Sequence, residues 1–288
     1  MSRLYFKLIL TMAIWGGTFI VGRVLAQAMP PLSIAFWRFV VASVCLLGLL
    51  VHSSALALPT RQQLGWAAAL GATGVFSYNV FFFSGLSLIP ASRAALLVAL
   101  NPIMVALFSA VLLRQSLGAR RWVGVLVSLF GAITLISHGD YLAVLRQGIG
   151  HGELLILGCC VSWVAYTLIG RQAMKVLSSL QATFWAALIG CIGLGITAAW
   201  RGELVSPVGL SLAQYAGVVF LGALGTAAAF IWYSDGIKAV GAARTVVFTN
   251  LVPVFAVLSG IVLLGEKPTL PTLLGGALVV AGVWVTNR

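Results

Sequence analysis

Apolar runs of about 20 residues, each bounded by Pro, Gly or charge, follow one another along nearly the whole chain. A helix needs about 20 predominantly apolar residues to cross a bilayer core of ~30 Å. Ten runs meet that length: 5–27, 32–52, 64–86, 92–113, 120–137, 152–170, 181–200, 213–234, 242–264 and 271–286. The polar breaks between them are short, and the longest, from about His138 to His151, is too small to fold alone. The pattern predicts an all-α integral membrane protein with ten transmembrane helices.

Composition agrees. Of 288 residues, 61% are hydrophobic and 8% charged, with a mean hydropathy of +1.10. A soluble domain carries about 25% charged residues, so a lipid bilayer has to solvate most of this exterior. The net charge of +12 would suggest nucleic acid in a soluble protein. Here the cations stand singly at the ends of apolar runs, as topology signals and headgroup contacts do, and a nucleic-acid partner is not expected. Cys45, Cys159, Cys160 and Cys191 fall inside apolar runs without metal-ligand spacing; they are expected as small core residues. No metal and no cofactor is predicted.

The segment from Arg3 and Lys7 through an apolar run to Ala26-Gln27-Ala28 has the outline of a signal peptide. Arg23 interrupts it, and the same segment recurs later, so it is expected as the first span. Trp15-Gly16-Gly17-Thr18-Phe19-Ile20-Val21-Gly22-Arg23 repeats as Trp163-Val164-Ala165-Tyr166-Thr167-Leu168-Ile169-Gly170-Arg171, with Trp, Gly and Arg matched at an offset of 148. Phe36-Trp37 maps onto Phe184-Trp185 at the same offset. An offset of 151 then maps Gly71, Gly74, Gly85, Arg93, Pro102, Gly124 and Gly131 onto Gly222, Gly225, Gly236, Arg244, Pro253, Gly275 and Gly282. The chain therefore divides into two related five-helix units, 1–140 and 150–288.

Five is odd, so two such units in series insert upside down relative to each other. With the N-terminus inside, Arg3, Lys7, Arg61, Arg114, Arg120, Arg121, Arg171, Lys175, Lys238, Arg244 and Arg288 collect on the inner side. Arg23, Arg38, Arg93, Arg146, Arg201 and Lys267 collect on the outer side. Eleven against six places both termini in the cytoplasm. Inverted repeats allow two bundles to exchange conformations around a site between them, which is the requirement of alternating-access transport.

The same pattern resembles the drug/metabolite transporter superfamily, EamA type, over essentially the whole chain. The resemblance is carried by Pro31-Leu32-Ser33-Ile34-Ala35-Phe36-Trp37-Arg38 opening the second span and by Leu100-Asn101-Pro102-Ile103 in the fourth. Leu251-Val252-Pro253-Val254, leading to Gly265-Glu266, completes it in the ninth. One departure stands out: the fourth-span match of Glu266 is Gln115. The resemblance implies a bacterial inner-membrane exporter or exchanger of small metabolites, often aromatic or apolar amino acids, moved through a central cavity.

A mid-membrane cavity needs hydroxyl, amide and indole groups that meet a polar solute without excessive cost when empty. Mid-span candidates are Trp15, Thr18, Tyr78, Asn79, Asn101, Trp163, Tyr166, Thr249 and Asn250. For the aromatics the alternative is packing between helices; for Asn101 and Asn250 it is interhelical hydrogen bonding worth on the order of 1 kcal/mol. Arg38 lies well inside a span, where a charge costs roughly 2.5–3.5 kcal/mol. It either snorkels to the outer headgroups or contacts a substrate anion at the outer mouth, and its repeat mate is Ala186. Asp140, Glu153, Glu203, Asp235 and Glu266 all fall at span ends or loops, which predicts transport without strong proton coupling. Few fixed cations lie deep, so zwitterionic amino acids are favoured over phosphorylated metabolites. Multidrug or lipid efflux is the alternative within transport. A membrane-embedded enzyme would need a nucleophile with its base or a metal cluster near an interface, and no such motif appears.

Overall fold

A computed structural model describes residues 2–89, 91–112, 118–137, 139–142, 149–264 and 269–287. The described chain is helical, and ten successive spans account for it. They are α1 (Ser2–Ala26), α2 (Pro31–His52), α3 (Arg61–Leu86), α4 (Ala91–Val98 and Asn101–Leu112), α5 (Ala119–Ile136), α6 (His151–Ala173), α7 (Ser179–Trp200), α8 (Leu212–Val240), α9 (Ala242–Val247, continuing to Leu264) and α10 (Leu270–Asn287). Among the described residues nine stretches are long and apolar enough to cross a membrane, and Asn101–Leu112 is a shorter apolar helix. Gln115 and Glu266 lie outside the described residues.

Two spans are broken where the sequence shows proline. The fourth is interrupted between Val98 and Asn101, and the ninth passes through a 3-10 turn at Phe248–Asn250. Pro102 and Pro253 lack an N–H and crowd the carbonyl four residues back, so each helix changes its winding just before them. Two other spans are wound more loosely. Gly71–Ser77 in α3 and Phe220–Ala228 in α8 are π-helical, and they occupy matching positions in the two halves. Wide π turns leave carbonyls available to partners outside the helix.

Two pairs of repeat mates pack against each other antiparallel. Along the α5–α10 seam Gly124 faces Gly282 and Gly131 faces Gly275, so residue numbers rise on one helix as they fall on the other. A Cβ on Gly131 would lie 2.6 Å from the Val279 nitrogen and 2.7 Å from the Gly275 oxygen. Only glycine permits backbones this close, the small-residue packing expected between helices in lipid. The mates α2 and α7 also run antiparallel and are tied at both ends. Ser33 Oγ donates to the Glu203 carbonyl, while Gln181 Nε2 donates to the Ala55 carbonyl at 3.2 Å. Both pairs are related by the same offset of 148.

At the bundle's centre, α1 crosses α8 and α6 crosses α3. These are mate crossings, and each is built on a glycine in a π segment: Gly225 against Thr18, and Gly74 against the ring of Tyr166. The end at which α1 begins is called the inner end below.

Candidate functional site

The two crossings bring the indoles of Trp15 and Trp163 edge to face, with ring centroids 5.6 Å apart. Around them stand Tyr78 (5.3 Å from Trp163), Tyr166 (5.3 Å), Phe230 (6.0 Å) and Tyr233 (5.3 Å). Phe82 stacks on Tyr78 at 5.8 Å. Ring pairs at these distances contribute about 0.5–1.5 kcal/mol each beyond their buried area, so the cluster is a cohesive unit contributed by α1, α3, α6 and α8.

Hydrogen bonds fix its members unequally. Trp15 Nε1 donates to the Gly225 carbonyl at 2.9 Å, using the acceptor made available by the π segment of α8. Thr18 Oγ1 returns to the Trp15 carbonyl at 2.6 Å. On the other side Thr167 Oγ1 bonds the Trp163 carbonyl at 2.8 Å and lies 3.2 Å from the Tyr233 hydroxyl. The mate of Gly225, Gly74, is instead covered by Tyr166. The two crossings share a backbone plan and differ in the chemistry laid over it.

The remaining sequence-predicted residues take different roles. Asn79 is buried on α3 and donates to the Val75 carbonyl of its own helix at 2.6 Å. Asn250 Nδ2 donates to Ser128 Oγ at 3.0 Å, joining α9 to α5, and Thr249 Oγ1 returns to the Val246 carbonyl at 2.6 Å. Asn101 is buried at the break of α4, and its Oδ1 has no hydrogen-bond partner among the described residues. Leaving such an acceptor unpaired costs about 1–3 kcal/mol.

Arg38 is folded inward against aromatic neighbours. Its guanidinium carbon lies 4.8 Å from the Phe39 ring centroid, its Nε is buried with no hydrogen-bond partner among the described residues, and it is within electrostatic reach of Tyr78. Phe39 in turn meets Phe230 edge to face at 6.3 Å. A positive charge therefore borders the aromatic cluster on its α2 side.

Sequence reasoning missed Phe82, Phe230, Tyr233 and Thr167. A signal for two of them existed: Phe82 and Tyr233 are repeat mates at the offset of 151. Tyr233 is fully buried, which its place near a charged helix end did not suggest.

The EamA-like transporter family matches residues 3–137 and again residues 150–288. An uncharacterized transporter of Bacillus subtilis (strain 168) is 26% identical over 272 residues, 93% of this chain and 88% of its own length. A protein of Streptantibioticus cattleyicolor named "Probable terminal-alkyne amino-acid exporter" is 27% identical over 299 residues, 100% of this chain and 94% of its own. One solved crystal structure, 24% identical, superposes with a TM-score of 0.79 over 98% of this chain and 97% of that one; it has the same fold.

Proposed function

We propose, for a chain that belongs to the EamA-like transporter family, that its cargo is an aromatic or apolar amino acid. On this reading it is exported from the cytoplasm by alternating access across a bacterial inner membrane, with both termini cytoplasmic. The observation that carries the proposal is the aromatic cluster centred on the mates Trp15 and Trp163, bordered by the inward-folded Arg38. Rings of Trp15, Tyr78, Trp163 and Tyr166 suit an apolar or aromatic side chain. The guanidinium suits its carboxylate, and the unpaired Asn101 oxygen accepts from its ammonium group. Thr18 sits at the α1–α8 crossing, Asn250 braces α9 against α5, and Asn79 and Thr249 bond within their own spans. Support from a relative comes from the name of the Streptantibioticus protein.

Alternating access follows from the two units, 1–140 and 150–288, exchanging their crossings. In one state Trp15 is tied to Gly225; in the other the α6–α3 crossing takes the equivalent role. Coupling is to the substrate gradient, a reading supported by the place of the acids at span ends or loops and by the pairing of Asp235, near the end of α8, with Lys7 at 3.7 Å.

The test is radiolabelled phenylalanine and leucine flux in proteoliposomes. Trp163→Ala and Asn101→Ala are each expected to depress it strongly. Flux unchanged by both would misplace the site. Drug or lipid transport without amino-acid flux would overturn the substrate class. A steep proton dependence abolished by Asp235→Asn would overturn gradient coupling.

A further inference from the structure

At the inner end, the ends of α6 and α8 and the beginnings of α5 and α9 surround a cavity of about 590 Å³. Five cations line it: Arg121, Arg171, Lys175, Lys238 and Arg244. Among the described residues no acidic side chain lines it. The ion pair nearest in sequence, Lys7 with Asp235, is made between α1 and α8 outside this wall. Arg121, Arg171 and Arg244 are half-buried, so their charges are not simply spread into water.

A topology signal alone accounts for cations on inner loops. It does not account for five of them, drawn from four separate helix ends, converging on one concavity. Nor does the repeat. At the matching positions of the other half stand Thr272, Arg23, Gln27, Ser87 and Arg93, so three of the five cations are particular to the inner end. Like charges gathered without a counter-charge repel one another, and a multiply charged anion relieves that repulsion better than a single carboxylate. Guanidinium forks match tetrahedral phosphate oxygens in pairs.

We propose that this cavity is a binding site for a phosphate group, distinct from the aromatic cluster, which contributes none of its lining. The phosphate comes either from an anionic phospholipid headgroup at the membrane surface or from a free phosphorylated solute. Once bound, it holds the ends of α5, α6, α8 and α9 together. The inference needs neither the amino-acid cargo nor the direction of transport.

Two arms distinguish the sources. In the first, the full chain is extracted with phosphatidylglycerol, cardiolipin or phosphatidylcholine, and retained lipid is counted by native mass spectrometry. In the second, thermal unfolding is followed in detergent with millimolar pyrophosphate against chloride of matched ionic strength. Retention of an anionic lipid about tenfold over phosphatidylcholine, or a pyrophosphate-dependent rise in Tm, is expected. The effect is lost in the double variant Arg171→Gln with Arg244→Gln and kept in Arg120→Gln, an exposed neighbour outside the wall. Lipid retention alone assigns the site to a headgroup, and a response to pyrophosphate assigns it to a soluble phosphate. No preference in either arm, or a preference that survives the double variant, overturns the proposal. Should the double variant fail to fold, Lys238→Gln, at an exposed position, is expected to weaken the same signal, and an undiminished signal there overturns it too.

Discussion

Trp15 makes two kinds of contact that a pair of substitutions separates. Trp15→Phe keeps an aromatic ring but deletes the indole N–H that donates to the Gly225 carbonyl at 2.9 Å. The bond itself is worth about 1 kcal/mol net, and stranding the carbonyl raises the cost toward ~1–3 kcal/mol. Trp15→Ala also removes ring contacts with Trp163, Phe230 and Tyr233 at 5.6, 5.9 and 5.6 Å. Three such pairs at about 0.5–1.5 kcal/mol each, with the void left behind, bring the expected loss to about 3–5 kcal/mol. Unfolding in mixed detergent micelles measures both. The Phe variant is expected to stay folded with a loss of ~1–3 kcal/mol, and the Ala variant to lose about 2 kcal/mol more.

Transport adds a second readout. Because the mate crossing covers Gly74 with Tyr166 instead, under the proposed alternating access the Trp15 bond would stabilise one state over the other. Removing about 1 kcal/mol from one state changes their ratio roughly fivefold. Trp15→Phe is therefore expected to change the apparent KM measured from opposite sides of the membrane unequally. Equal destabilisation by Phe and Ala would mean that the rings contribute nothing beyond the hydrogen bond. An Ala variant as stable as the parent would refute the packed cluster itself.

Four further outcomes are expected. Gly131→Leu drives a side chain into the backbone of α10 and is expected to lose about 1–3 kcal/mol in the same unfolding assay. Gly48→Ala, with nothing within 4 Å of the added carbon, is expected to be neutral or to gain up to ~1 kcal/mol. Asn250→Leu breaks the bond to Ser128 and is expected to cost no more than ~1.7 kcal/mol while flux continues; abolished flux at full stability would make Asn250 a binding group. Arg38→Gln removes a charge-assisted contact of about 1.5–3 kcal/mol and is expected to raise KM for phenylalanine about tenfold or more. Competition by phenethylamine, which lacks the carboxylate, should not change, and parallel weakening of both compounds would remove Arg38 from carboxylate recognition.

Helix count and pairing were legible because they rest on local signals. Run length marks each span, and the offsets of 148 and 151 relate mates that the structure brings together at Trp15–Trp163 and along the α5–α10 seam. Pro102 and Pro253 were visible as well, but the altered winding before them depends on how neighbouring helices take over the released carbonyls. Polar residues were the hardest to assign. Asn79, Thr249 and Asn250 look alike as mid-span polar groups, yet each is committed to a different neighbour, and nothing in their spacing chooses among those partners. The inner cations were legible singly, as topology signals. Their convergence on one cavity was not, because Arg121 and Lys238 are far apart in sequence and meet only where α5 begins at the level at which α8 ends.

The centre of the molecule carries a consequence of imperfect symmetry. Alternating access in a perfect inverted repeat would make the two end states mirror one another, with equal barriers from either side. Here the mates at the two crossings are Thr18 and Tyr166. The small one lets Trp15 reach the Gly225 carbonyl; the large one lays a ring over Gly74. Under the proposed exchange of the units, Tyr166 would have to move off Gly74 before Trp163 could make the bond that Trp15 makes now, whereas Thr18 would impose no such step on the return. Two states related by this exchange differ in packing and in hydrogen bonding, so their free energies differ even without a substrate gradient. On the proposed mechanism a preferred resting state would follow from a single pair of mates. Tyr166→Thr, which makes the crossings alike, is expected to bring the apparent KM values measured from the two sides of the membrane closer together, and an unchanged ratio would place the asymmetry elsewhere.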